Sequence, residues 1–110
     1  MATMRFGDKL KELRISQNMT QKHIASLISL SPSVYSRLEN NERKLKQNLL
    51  KTLSEIYNID ESVLYKYWIA DKIYDILDNV QNPLEILILV ENYVDITGQN
   101  KHKHEKTYLR

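Results

Sequence analysis

The sequence predicts an all-α protein, and three observations carry that prediction. Only two glycines and two prolines occur in 110 residues, so helix breakers are scarce. Apolar side chains recur at spacings of three and four along most of the chain, the period of a helix with one buried face. Ser, Thr, Asn or Asp stands ahead of the periodic runs, where the free N–H groups of a helix start need an oxygen acceptor. There is no cysteine, which excludes disulfides and thiolate metal sites and suits a reducing compartment. No apolar stretch approaches the ~20 residues a membrane span needs, and no leader-type apolar segment opens the chain. A soluble, cytoplasmic helical chain with one small domain and an appendage is expected.

The first helix is predicted from about Arg5 to Gln17, with Phe6, Leu10 and Leu13 facing inward and Ile15 at the margin. Asn18 ends it, since Asn tolerates the left-handed conformation that helix ends often need. Thr20 N-caps the second helix, on which Ile24, Ala25 and Ile28 form the inner face; His23 falls on the solvent side. Ser29 sits in the following turn, where positive φ is expected. Ser31 and Pro32 open the third helix as cap and first-position proline. Tyr35 and Leu38 give it an inward stripe, and it ends at Asn40 and Asn41. Two short helices joined by a tight turn, with small Ala25 at their closest approach, make a helix-turn-helix. That unit lays its second helix in a DNA major groove.

The segment from Phe6 to about Leu64 resembles the Cro/cI-like (Xre-family) DNA-binding domain. The resemblance rests on Leu10-Lys11-Glu12-Leu13-Arg14, Thr20-Gln21, Ile24-Ala25 and Ser31 to Arg43, then Leu50, Leu53 to Tyr57 and Ile59-Asp60. It implies a five-helix, lambda-repressor-like bundle. The chain departs from the family pattern at His23, Ser29, Asn41 and Leu45, where the family favours Glu, Gly, Gly and Pro. The resemblance also implies a structural ion pair between Arg14 and Glu39, linking the first helix to the end of the third.

A fourth helix is predicted from Gln47 to Tyr57, with Leu49, Leu50, Leu53 and Ile56 inward. Asp60 caps a fifth helix, whose periodic pattern runs unbroken to about Asn79, longer than the family's. Asn82-Pro83-Leu84-Glu85 reads as a cap, a first-position proline and a capping-box Glu, opening a sixth helix that stops at Gly98. The domains expected are 1–64, DNA-binding; 65–98, a helical hairpin for dimerisation; and 99–110, a polar tail. His102 and His104 in that tail are not expected to bind metal.

Charge is split along the chain. Residues 1–51 carry ten Lys/Arg against four Asp/Glu, residues 52–98 two against nine, and residues 99–110 four against one. The basic block coincides with the helix-turn-helix and suits a polyanion. By position in the family, Pro32, Ser33, Val34, Ser36 and Arg37 face the bases. Arg37 suits the O6 and N7 of guanine, because a guanidinium donates two parallel hydrogen bonds. Gln21, Asn40, Arg43, Lys44 and Lys46 are the expected phosphate contacts, which position without reading sequence.

The hairpin of residues 65–98 is apolar beyond what one face of two helices requires. Trp68, Ile69, Ile73, Ile76, Leu77, Leu84, Leu87 and Ile88 are expected at a two-fold homodimer interface, which would suit a palindromic operator. The alternative is that the hairpin holds another protein, as in an antitoxin. A restriction–modification controller, a phage-type repressor and an autoregulating antitoxin all fit, the short helical extension resembling small controllers most, and the origin expected is bacterial or phage. No nucleophile, phosphate loop or metal-spaced pair marks an enzyme, and no cofactor is expected.

Overall fold

The computed structural model describes residues 4–94 and is all-helical across them. In order come α1 (Phe6–Ser16), α2 (Gln21–Leu27), α3 (Pro32–Glu39), a 3-10 turn (Gln47–Leu49), α4 (Leu50–Ile56), α5 (Glu61–Ile76) and α6 (Pro83–Tyr93). Backbone contacts divide the chain into two units, Met1–Ile76 and Leu77–Arg110.

Helix starts in the first unit follow from side-chain acceptors. The Thr20 hydroxyl accepts the His23 N–H at 3.1 Å, and the Ser31 hydroxyl accepts that of Val34 at 3.2 Å. The Asp60 carboxylate takes the Ser62 N–H at 2.9 Å, and Asp8 reaches back to the Arg5 N–H at 2.9 Å. The ends follow from left-handed residues. Asn18, Ser29, Asn41 and Asn58 all have φ between 55° and 61°. Asparagine thus does the work of glycine in a chain that has almost none. Ser29 lacks that tolerance, and its conformation costs of order 1 kcal/mol relative to Gly.

The core of this unit gathers Leu10, Ile24, Ala25, Tyr35, Leu38, Leu50, Leu53, Tyr57 and Leu64, with Phe6, Ile28, Leu45 and Trp68 closing it. Ile15 faces solvent instead. α2 packs chiefly on α3, while α1 packs on α3 and α5, and α4 on α5. The hydroxyls of Tyr35 and Tyr57 bond to each other at 2.7 Å inside it. Each is the other's partner, so neither phenol is buried unsatisfied. Leu45 is drawn into the core and its carbonyl accepts the Trp68 indole N–H at 2.8 Å. The loop before α4 is thereby pinned. No side-chain cap opens the next segment, and the chain enters α4 through the 3-10 turn rather than as one helix from Gln47.

Several expectations need correction. Trp68 belongs to this core and not to an outer interface: it is buried and its only polar atom is spent on Leu45. α5 crosses position 64 without a break. It ends at Ile76 and not at Asn79, because the chain turns through Leu77 to Asn79, where φ is 66°.

In the second unit, α6 begins with Pro83 at its first position, where no donor is needed. The capping box expected at Asn82 does not form. Asn82 has φ 53°, which directs its side chain away from the helix start, and only its carbonyl accepts from Glu85, at 3.0 Å. Every described side chain of α6 except Ile86 is exposed, Leu84 at 73%. The stop at Gly98 and the tail 99–110 lie outside the described residues. Among the described residues no helix is long and apolar enough to cross a membrane.

Candidate nucleic-acid interface

The candidate surface is built on α3. Ser31 and Pro32 fix where the helix starts, and Tyr35, Leu38 and Glu39 fix which face is inward. What remains outward is Pro32, Ser33 and Arg37, exposed, with Val34 and Ser36 half-buried at the edges. The Arg37 side chain makes no ion pair or hydrogen bond among the described residues, so its guanidinium is available to a ligand. Ser33 lies 3.4 Å from the Ser31 hydroxyl, a long contact that costs little to give up.

α3 is held from behind by charge. Arg14 of α1 forms a two-pronged pair with Glu39, Nε to Oε2 at 2.7 Å and Nη2 to Oε1 at 3.0 Å. Its third nitrogen donates to the Met19 carbonyl at 3.0 Å. Glu39 is 2% exposed, and Gln21 of α2 adds a third donor at 2.9 Å. Burial pushes the Glu39 carboxyl up, but the hydrogen bonds from Arg14, Gln21 and Tyr35 outweigh it. The carboxyl is held below its usual range. Three helices therefore meet at one carboxylate, the sort of satisfied buried charge that specifies geometry more than it adds stability.

The structure sorts the expected phosphate contacts into two groups. Asn40, Arg43 and Lys46 are exposed after α3 and make no ion pair among the described residues. Gln21 and Lys44 are already engaged. The Gln21 amide donates to Glu39, which leaves its second N–H and its backbone N–H at the start of α2. The Lys44 ammonium lies against the Asp75 carboxylate on α5. Arg43, Lys44 and Lys46 rim a hollow floored by Leu30, Val34 and Leu49, directly beside α3. An apolar floor with a basic rim can accept the sugar–phosphate edge of a nucleic acid.

Two residues outside the expected set shape this surface. Gly7 packs so closely on the end of α3 that a Cβ there would stand 2.3 Å from the Leu38 carbonyl oxygen. Asn41 supplies the matching bond, its Oδ1 accepting the Gly7 N–H at 2.8 Å. Gly7 is one of only two glycines and sits inside a helical pattern, a signal of close packing that was readable from the sequence.

Residues 10–64, half of the chain, match the family described as helix-turn-helix. The chain belongs to that family. It is an Xre/Cro/cI-like helix-turn-helix protein, and its all-α bundle is lambda-repressor-like. No curated protein and no solved structure matches it significantly. Membership makes it a DNA-binding helix-turn-helix regulator. The family match ends at Leu64 near the start of α5, so the rest of α5 and α6 lie outside it. Among the described residues no cluster of three or more His, Cys, Asp or Glu could hold a metal ion, and His102 and His104 lie outside them.

Proposed function

We propose that the chain acts as a homodimer on a palindromic operator, each copy placing α3 in a major groove. The observation that carries this reading is the uncommitted outward face of α3. Arg37 and Ser33 are exposed without strong partners, while Arg14, Gln21 and Tyr35 hold the opposite side rigidly. Arg37 reads guanine, Val34 touches a thymine methyl, and Ser33 and Ser36 bond bases or backbone. Asn40, Arg43 and Lys46 clamp phosphates, joined by Gln21 and Lys44 when those exchange partners.

Self-association is supported by α6, whose Leu84, Leu87 and Ile88 are exposed together with Leu89 and Val90. Ile73 and Ile76 are exposed on α5 as well, whereas Ile69 is half-buried against the core. Apolar side chains exposed along one helix in this number mark an interface. The same exposure favours a second reading, in which a partner protein covers α6.

The test is a mobility-shift titration against DNA just upstream of the protein's own reading frame, with Arg37→Ala alongside. Tight, salt-sensitive binding is expected, with sequence preference relaxed in the variant. Sedimentation should give a dimer that Leu84→Asp with Leu87→Asp converts to a monomer. Failure to bind that DNA or any random-site pool sinks the regulator reading. Wild-type protein that stays monomeric until a second protein is added moves α6 to the partner reading.

A further inference from the structure

The basic loop after α3 and the acidic end of α5 touch. Lys44 lies between two hollows. One is the basic-rimmed hollow beside α3; the other lies under α5 and is lined by Trp68, Asp71 and Asp75. Its ammonium turns to the second, against Asp75 Oδ2. That oxygen is out of solvent and makes no directed hydrogen bond, so Lys44 is what offsets its charge. The rest of the carboxylate is held in place: Arg5 Nη2 stands 3.9 Å from Oδ1. Arg5 is itself fixed, donating from Nε to Asp71 at 2.9 Å and lying 4.7 Å over the Tyr74 ring. Asp75 is thus a positioned anion, on the part of α5 that lies beyond the family match.

We propose that Asp75 stands in for a DNA phosphate, holding Lys44 on α5 until a backbone phosphate takes its place. This rests on the proposed placement of Lys44 at the DNA backbone. Lys44 is 65% exposed on its side chain and has a long flexible stem, so the swing needs no backbone movement. The exchange subtracts the strength of the Asp75 pair from every encounter with DNA. The cost is the same on operator and on random DNA, so the extension of α5 lowers both affinities by one factor and leaves their ratio unchanged. Fewer non-operator sites are then occupied at a given protein concentration.

The experiment compares wild type, Asp75→Asn, Lys44→Met and the double variant on random-sequence duplex and on the upstream operator, at one salt concentration. Asp75→Asn keeps the side-chain shape, and a melting curve confirms that it folds. The expected result is binding to random duplex about two- to fivefold tighter for Asp75→Asn, the range of a solvent-exposed ion pair. That gain should vanish in the Lys44→Met background. No gain, or an equal gain without Lys44, overturns the proposal, the latter reducing it to a long-range charge effect. Wild type that binds neither DNA sinks the DNA reading itself, which the Asp75 comparison alone cannot do.

Discussion

The Asn41 side-chain oxygen accepts the Gly7 amide hydrogen across 2.8 Å, joining the first turn of α1 to the residue just past α3. One asparagine serves two ends. Its left-handed backbone, φ 61°, stops α3, and its side chain satisfies an N–H that α1 cannot satisfy internally. Its amide nitrogen adds a long bond to Asp8 at 3.4 Å. The angle at which α3 meets a ligand is consequently set by how closely α1 can approach.

Gly7→Ala should therefore be severe. The added methyl meets the Leu38 and Glu39 carbonyl oxygens at 2.3 and 2.7 Å and the Asn41 side chain at 2.6 Å. Two of these three are backbone and cannot rotate away. A loss of about 3 kcal/mol or more is expected, at the upper end of overpacking costs, and calorimetry would read it as a large fall in Tm. A wild-type Tm in this variant would mean that the helices are not in contact there.

Glu39 gives an acid-side signature. Its folded carboxyl titrates below its unfolded range, because the donors from Arg14, Gln21 and Tyr35 exceed the effect of burial. A depressed carboxyl contributes stability that is present above the unfolded value of ~4.3 and lost as pH falls through the lower folded one. Wild type should lose Tm steeply below about pH 4.3, and Glu39→Gln should show a shallower acid loss. At neutral pH, Glu39→Ala should cost ~3 kcal/mol, since it strands the Arg14 charge. An unchanged melting curve would remove the pair from the structural account.

The tyrosine pair gives the opposite, alkaline signature. Burial pushes the Tyr57 phenol up to about 12 and raises Tyr35 as well. Groups whose folded value is raised contribute stability that is full below the unfolded value, ~10, and lost as pH climbs toward the folded one. Tm should drop between pH 10 and about 12, and Tyr57→Phe should flatten part of that drop. At neutral pH that variant should cost about 1 kcal/mol for the lost hydroxyl bond. Identical alkaline curves would show that the Tyr57 phenol is not held out of water.

Ser29→Gly is expected to stabilise. Ser29 holds φ 60° between α2 and α3 and is exposed, so removing its Cβ relieves strain without opening a cavity. A gain of order 1 kcal/mol corresponds to a rise in Tm of roughly 4–8 °C for a domain of this size. No rise would place the strain elsewhere in the turn.

The helices of the first unit were legible because their signals are local. A cap such as Thr20 or Ser31, a left-handed Asn and a three–four apolar period act within one turn of themselves. They fixed the starts, the ends and the inward face of α3, and so left Ser33 and Arg37 outward. The α6 start misled for the same reason. Asn82, Pro83 and Glu85 carry the right letters, but the left-handed backbone at Asn82 turns the cap away.

What the sequence determined by itself was the family, the order of helices and the residues that α3 turns outward. What only the tertiary structure decided was how charged and aromatic side chains are spent across the fold. Trp68 reads as surface apolar in a long helix, yet it closes the core on Leu45, 23 residues away. Lys44 reads as one more basic loop residue, yet Asp75, 31 positions on, already holds it. Gly7 signals close packing on α1, yet only the fold decides that the end of α3 is what packs there. The physical reason is common to all three. Periodicity and capping follow from bonds between near neighbours, whereas a long-range partner is chosen only when packing brings distant segments within a few ångströms.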